Sequence, residues 1–425
     1  MRVRRWVEWA KDLLILLLTL SAAYLLTMTP LVQDSGVLDL IPTAEAPGTA
    51  VSGPAYTVAA IPARMAVNSP KGRYGLQYDQ DGLDSLFARL GPLLGEALAS
   101  AEEAEAIPES SWQVYLQNTG IYFDFSGEIP LSALSGWLGG TDQCQLEGSA
   151  RRFLLAADGT DGVLLCWQDA SSGQFYASST ALTQRFHLEP AAGDFHGNGA
   201  FFAFEDGEMS RLLKPYTLVT EEALSIQQYN AVNPLAAPDG VDALLDALDF
   251  SGQNHVAVNG GEVYLDSGDR LEISADGVAA YRAVQGKKYP VGTKDEPLSV
   301  SEAIEAARRL AESTVGSMSG DAQLYLISAQ PDSSGYRVRF GYRLNGAAVH
   351  WGSKSWAAEF QVQNGCVAWF TLRFRRYTAL SETTLLLPID RAAVMLPDLT
   401  DQPAELVIRY WDQGGGVTQP EWVMD

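Results

Sequence analysis

Histidine and cysteine are scarce in this chain, with four and three in 425 residues. His187, His196, His255 and His350 are scattered and form no HExxH or HxxxH pair, which argues against a zinc site on a helix. Cys144, Cys166 and Cys366 are odd in number and far apart, so the fold is not built on a disulfide framework. An oxidising compartment would still allow Cys144 and Cys166 to pair. No CxxC or mixed Cys/His metal spacing occurs. Basic charge is also short: 29 Lys and Arg stand against 52 Asp and Glu, a net charge of −23. Binding phosphates requires clustered basic residues, so nucleic acid is not an expected partner, and the main body is not expected to lie on an anionic lipid surface. There is no GxSxG elbow, P-loop or dinucleotide fingerprint, and no cofactor is implied.

The apolar content, 47% against 19% charged, is that of a folded protein. Its most concentrated stretch is Leu13 to Val32, twenty residues without a charge. At about 1.5 Å per residue such a helix reaches about 30 Å, the thickness of a bilayer's hydrocarbon core. Arg2, Arg4 and Arg5 precede it, so the positive-inside rule keeps the N-terminus in the cytoplasm and places the body outside. Removing residues 1–32 leaves 25 of the 29 basic and 50 of the 52 acidic residues: a basic tip on an acidic body. The rival reading is a signal peptide cleaved after the small residues Ser21, Ala22 and Ala23. Tyr24, Leu25 and Leu26 continue the apolar run past that point and favour an anchor. Small residues let helices approach closely, so Leu13, Leu16, Leu17, Leu20, Ser21, Ala22, Ala23 and Tyr24 are the candidate partner-contact residues of the span.

The rest divides into a linker, 33–55, rich in Pro, Gly, Ser, Thr and Ala, and three α+β regions: 56–227, 228–291 and 292–425. In the first, Leu83, Leu86, Phe87, Leu90, Leu94 and Leu98 predict a helix over 83–106, kinked or split at Gly91, Pro92 and Gly95. Strands are predicted at 112–117 and 120–125, a short helix at 129–138, and a meander at 151–157, 162–169 and 173–180. In the second, a helix at 241–250 precedes short strands at 255–258, 262–265, 270–273 and 277–283, with Asn259-Gly260 and Asp276-Gly277 as turns. In the third, Ser299 and Glu302 have the spacing of a capping box. The helix after them has Ile304, Ala307, Leu310 and Ala311 on one face and can pair Glu305 with Arg309. Strands follow at 323–330, 336–344, 347–351, 357–363 and 366–377, with turns at Asn345-Gly346 and Asn364-Gly365. The class is α+β: helices on antiparallel sheets, behind one transmembrane helix.

Candidate chemistry is thin. Asp194 and His196 are two residues apart in a Gly/Asn loop, but lack a third ligand and read as a turn. The runs 158–161 (DGTD) and 266–269 (DSGD) lack the ligand series and closing Glu of a calcium loop, and read as solvated hairpin turns. Trp351 and Trp369 lie on predicted strands and read as core, against the alternative of an aromatic groove for peptide or glycan. Arg373, Arg375 and Arg376 cluster in TLRFRRY. Alternation puts Arg373 and Arg375 on one outer face, expected to pair with acidic neighbours.

Taken in order, WVEWAKDLLILLLTLSAAYLL at the N-terminus, RRFLLAADGTDGVLLCWQDASSGQFYASST in the first region, LSVSEAIEAARRL and GYRVRFGYRLNGAAVHWGSKSWAAEFQVQNGCVAWFTLRFRRY in the last, and the terminal QPEWVMD resemble the YycH/YycI proteins, on length YycH rather than the smaller YycI. Those proteins are membrane-anchored accessory regulators of the WalK sensor histidine kinase of Gram-positive bacteria. The resemblance implies no enzyme activity. It implies a WalK-like kinase and a YycI-like companion protein as partners, with contact through the transmembrane helix. The last region also resembles PepSY-type modules, which implies the alternative of an extracytoplasmic binding module for a peptide or cell-wall ligand.

Overall fold

The computed structural model describes residues 58–139, 144–258, 260–284, 288–292, 297–332, 334–352, 354–395 and 403–425. The predicted span and its eight candidate contact residues lie outside them. Among the described residues, no helix is long and apolar enough to cross a membrane.

A hairpin of β1 (Arg64–Ser69) and β2 (Gly72–Gln77) opens the body and leads into α1 (Gln80–Ser100). The Asp79 side chain caps this helix by accepting from the Gly82 N–H. All six of the predicted apolar residues of α1 are buried. The helix is not split at Pro92, which lies inside it. Gly95 instead permits a close approach: a Cβ there would lie 2.8 Å from the Leu138 Cβ and 2.9 Å from its carbonyl oxygen. After β3 (Glu105–Ile107) comes α2 (Glu109–Gln117), where sequence alternation predicts a strand. Trp112 and Leu116, spaced i,i+4, are its buried residues, and Trp112 packs on Phe175 and Tyr216 at ring-centroid distances of 5.3 and 6.0 Å. Tertiary packing selects the helical period here over the alternating one.

The strands β4 (Gly120–Pro130), β5 (Ser149–Ala157), β6 (Gly162–Asp169) and β7 (Phe175–Thr183) complete a seven-stranded antiparallel sheet in the order β2-β1-β4-β5-β6-β7-β3. The short helix α3 (Leu131–Trp137) follows β4, as predicted. A two-stranded ribbon, β8 (Phe201–Phe202) with β9 (Leu218–Val219), then leads to β10 (Leu224–Val232) and α4 (Gly240–Ala247).

Four short strands follow close to their predicted places: β11 (His255–Val258), β12 (Gly261–Asp266), β13 (Asp269–Ser274) and β14 (Val278–Arg282). Helix α5 (Val300–Ala311) begins with the predicted capping box, the Ser299 Oγ accepting from the Glu302 N–H at 3.2 Å and Glu302 Oε2 from the Ser299 N–H at 2.9 Å. Glu305 meets Arg309 at 2.8 Å, and Ile304, Ala307 and Ala311 are buried. The strands β15 (Gln323–Asp332), β16 (Gly335–Leu344), β17 (Ala347–His350), β18 (Ala358–Gln363) and β19 (Cys366–Arg373) come next. Asn345 and Gly346 (φ 48° and 81°) and Asn364 and Gly365 (φ 53° and 71°) make the left-handed two-residue turns their sequence demands. The predicted strand 366–377 breaks at Phe374-Arg375, and β20 (Arg376–Leu386) leaves to pair with β10. After α6 (Ile389–Met395) the chain ends in β21 (Leu406–Trp411), β22 (Gly416–Thr418) and β23 (Pro420–Met424).

The largest sheet runs β11-β12-β13-β14-β19-β18-β16-β17-β21-β23, with β15 on β16. It is antiparallel except where β17 meets β21. Helix α5 lies against its strands β16, β18 and β19, over Phe340, Phe360 and Phe370. A third sheet, β20-β10-β22, is small. Near Gly127 strand β4 comes so close to β15 that a Cβ would stand 2.1 Å from the Leu326 carbonyl oxygen, so only glycine fits. The molecule is thus mixed α+β, with mostly antiparallel sheets.

Candidate functional site

The residues singled out for acid–base or metal chemistry are not brought together. Asp194 pairs with Arg89 of α1 at 2.7 Å, and His196 is exposed beside it. The His187 Nδ1 accepts from the Thr183 N–H at 3.0 Å, which ties a local turn. His255 stacks on Tyr264 at 5.4 Å. The Asp158 carboxylate accepts from the N–H groups of Thr160 and Gly162 at 2.7 and 3.1 Å, the turn role expected of it. All three cysteines are free thiols. Among the described residues, no group of three or more His, Cys, Asp or Glu is arranged to hold a metal ion.

What the fold does gather is a buried cluster of charge that the sequence reading missed. Strands β1, β4 and β5 aim Arg64, Asp124, Arg151 and Arg152 at Glu405, which immediately precedes β21. Arg64 reaches Asp124 at 3.1 Å and Glu405 at 2.7 Å. Arg151 reaches the same two carboxylates at 2.7 and 2.5 Å, and Arg152 reaches Glu405 at 3.0 Å. Arg64, Asp124 and Glu405 are all buried. Three guanidiniums against two carboxylates leave one net positive charge inside. Burial opposes ionisation of Glu405, but Arg151, Arg64 and Arg152 outweigh it and hold its carboxyl far below the usual range. Tyr78 completes the cluster. Its hydroxyl accepts from the Arg64 Nη2 at 3.2 Å and from the Ile408 N–H at 3.0 Å, and its ring meets Trp422 edge-on at 5.9 Å. The Tyr78 backbone is left-handed, φ 57°, a conformation bulky side chains avoid and the surrounding contacts enforce.

Beside this cluster a cleft of about 200 Å3 is lined by Arg151, Tyr325, His350, Arg409 and Asp425 among others. Burial, reinforced by the nearby Arg409 charge, depresses the His350 pKa from 6.5 to about 4. His350 is therefore neutral at physiological pH, unsuited to act as a proton donor there.

Of the basic triplet, Arg375 does pair with an acidic residue, Asp412, at 3.2 Å. Arg373 does not: its guanidinium lies over the Trp356 ring at 4.6 Å. Trp351 and Trp369 are half-buried rather than enclosed in the core. The only advance sign of the buried cluster was an Asp inside the apolar run GIYFDF and two adjacent Arg opening the next strand.

The body is an α+β scaffold whose first sheet is tied by charge to its C-terminal strands. No protein-family model matches the chain, and no curated protein matches it. Among solved structures it is similar to YycH from Bacillus subtilis, with a TM-score of 0.56 and 11% identity over 87% of this chain and 95% of that one. The fold is YycH-like. An uncharacterized protein from Eubacterium rectale is also similar, at 16% identity over 48% of this chain and 78% of that one, but its TM-score of 0.31 is too low to bear on fold or function.

Proposed function

We propose that this chain is a non-enzymatic, membrane-anchored accessory regulator that modulates a WalK-type sensor histidine kinase. The observation that carries the reading is the YycH-like fold of nearly the whole body, behind a twenty-residue uncharged segment with arginines on its N-terminal side. In this reading the N-terminus is cytoplasmic and the body extracytoplasmic. Leu13, Leu16, Leu17, Leu20, Ser21, Ala22, Ala23 and Tyr24 are the residues from which contacts to the kinase's own transmembrane helices would be drawn, and a YycI-like protein is a companion. Regulation then amounts to a difference in this helix's affinity for two states of the kinase.

A bacterial two-hybrid assay of residues 1–40 against the transmembrane part of the host's WalK-like kinase tests it. The expected result is a signal that disappears when residues 13–32 are replaced by a scrambled apolar sequence. Absence of signal, with the protein shown to be in the membrane, overturns helix-mediated contact. It would favour the PepSY-like alternative, an extracytoplasmic binding module for a peptide or cell-wall ligand.

A further inference from the structure

Arg373 is a cation without a counter-ion. In β19, Phe370 and Leu372 face the core, while Thr371 and Arg373 lie on the opposite, half-open face of the large sheet. Among the described residues Arg373 forms no ion pair, and its Nε is buried without an acceptor. Burial depresses its pKa, and the two carboxylates that oppose this, Asp276 and Glu359, form no ion pair with it. Its charge is steadied by the Trp356 ring alone among the described residues.

Arg373 lines a pocket of about 310 Å3 built where turns from distant parts of the chain converge: 276–278, 351–352, 373–375 and 412–414. A second donor in this lining is also unmatched, since the Trp351 Nε1 is buried without an acceptor. Of the other charges of the pocket, Arg375 and Asp412 face each other, and the Asp276 carboxylate accepts from the Ser274 Oγ. Arg375 Nε lies 3.2 Å from Asp412, and its Nη1 donates to the Asp276 carbonyl oxygen at 3.1 Å. Asp412 also accepts from the Tyr377 hydroxyl at 2.9 Å and the Gly414 N–H at 2.7 Å. Among the described residues, Arg373 is thus the arginine of this pocket without an ion pair.

We propose that this pocket binds an organic carboxylate, independently of any kinase contact. The planar fork of Arg373 matches a planar carboxylate. The ring of Trp351, in the pocket lining, suits the carbon part of such a ligand. Asp276 and Asp412 at the same pocket disfavour a dianion such as phosphate. The volume admits a group about the size of one amino-acid residue. The carboxylate belongs either to a free small acid or to the C-terminus of a peptide.

Isothermal titration of the purified full-length chain, at constant ionic strength, separates these sources with three probes: acetate, acetyl-Gly-Ala with a free terminal carboxylate, and the same peptide as its amide. Binding of acetate supports a free acid. Binding of the peptide acid, but neither its amide nor acetate, supports a peptide terminus. In either case Arg373→Gln is expected to weaken binding about tenfold or more, the size of a lost hydrogen bond to a charged group. Trp351→Phe keeps the ring, removes the donor and is expected to weaken it less. Arg282→Gln, exposed on β14 and outside this pocket, is expected to leave it unchanged. Circular dichroism confirms that each variant is folded. No binding by any probe, equal binding of acid and amide, or affinity unchanged in both Arg373→Gln and Trp351→Phe overturns the proposal.

Discussion

Glu405 shows how much one side chain can decide. It is the counter-charge for three arginines on strands whose sequence positions are 253 to 341 residues away. Breaking a buried ion cluster from one side leaves charge uncompensated, at a cost of about 3–5 kcal/mol. Glu405→Gln keeps the shape and removes the charge, and is expected to lower the urea midpoint by a corresponding amount at unchanged m-value. His350 sets a pH dependence of known sign. The unfolded chain takes up its proton near pH 6.5 and the native one near 4, so in this window the unfolded state binds more protons. Stability is full above about 6.5 and falls as pH drops towards 4. His350→Gln is expected to flatten the thermal midpoint against pH across that range. Glu405, held far below its ordinary value, contributes a loss of the same sign starting lower, near its unfolded value of 4.5. At this scale the sequence was partly legible. Asp124 in an apolar strand is a sign of buried charge that the sequence analysis left unread, and neither local spacing nor composition identifies a partner more than 250 residues on.

Elements were more legible than side chains wherever a local signal and tertiary packing agreed. Helix α5 had an N-cap, a reciprocal Glu and an apolar stripe, and it formed in its predicted place. Ser299→Ala removes the cap that satisfies the Glu302 N–H and is expected to cost about 1 kcal/mol, read as a lowered thermal midpoint. The Asn-Gly turns were legible for a similar reason, because their backbone requirement is local. Helix α2 was misread because its residues alternate well enough for a strand, and only Trp112 packing on Phe175 and Tyr216 decides between the two periods. The expected break at Pro92 failed for the converse reason. The surrounding core holds α1 together, and its glycines serve close packing rather than flexibility.

At the scale of the molecule, the class was legible and the pairing was not. The predicted strands of residues 255–283 and 323–373 all exist, but nothing local says that β14 pairs with β19 and so joins them in one sheet. Nor does the sequence show that β20 departs to pair with β10, some 150 residues earlier. These are long-range choices made by burial, and the fold they produce is similar to that of YycH from Bacillus subtilis at only 11% identity. The charge cluster carries a consequence for how the protein is made. A ribosome finishes strands β1, β4 and β5, with three arginines and one aspartate destined for the interior, long before it reaches codon 405. Until Glu405 emerges, the first sheet carries an inward-facing excess of positive charge that Asp124 neutralises only in part. The first sheet is therefore locked to β21 late in synthesis, and a chain cut short before Glu405 is expected to lack that lock.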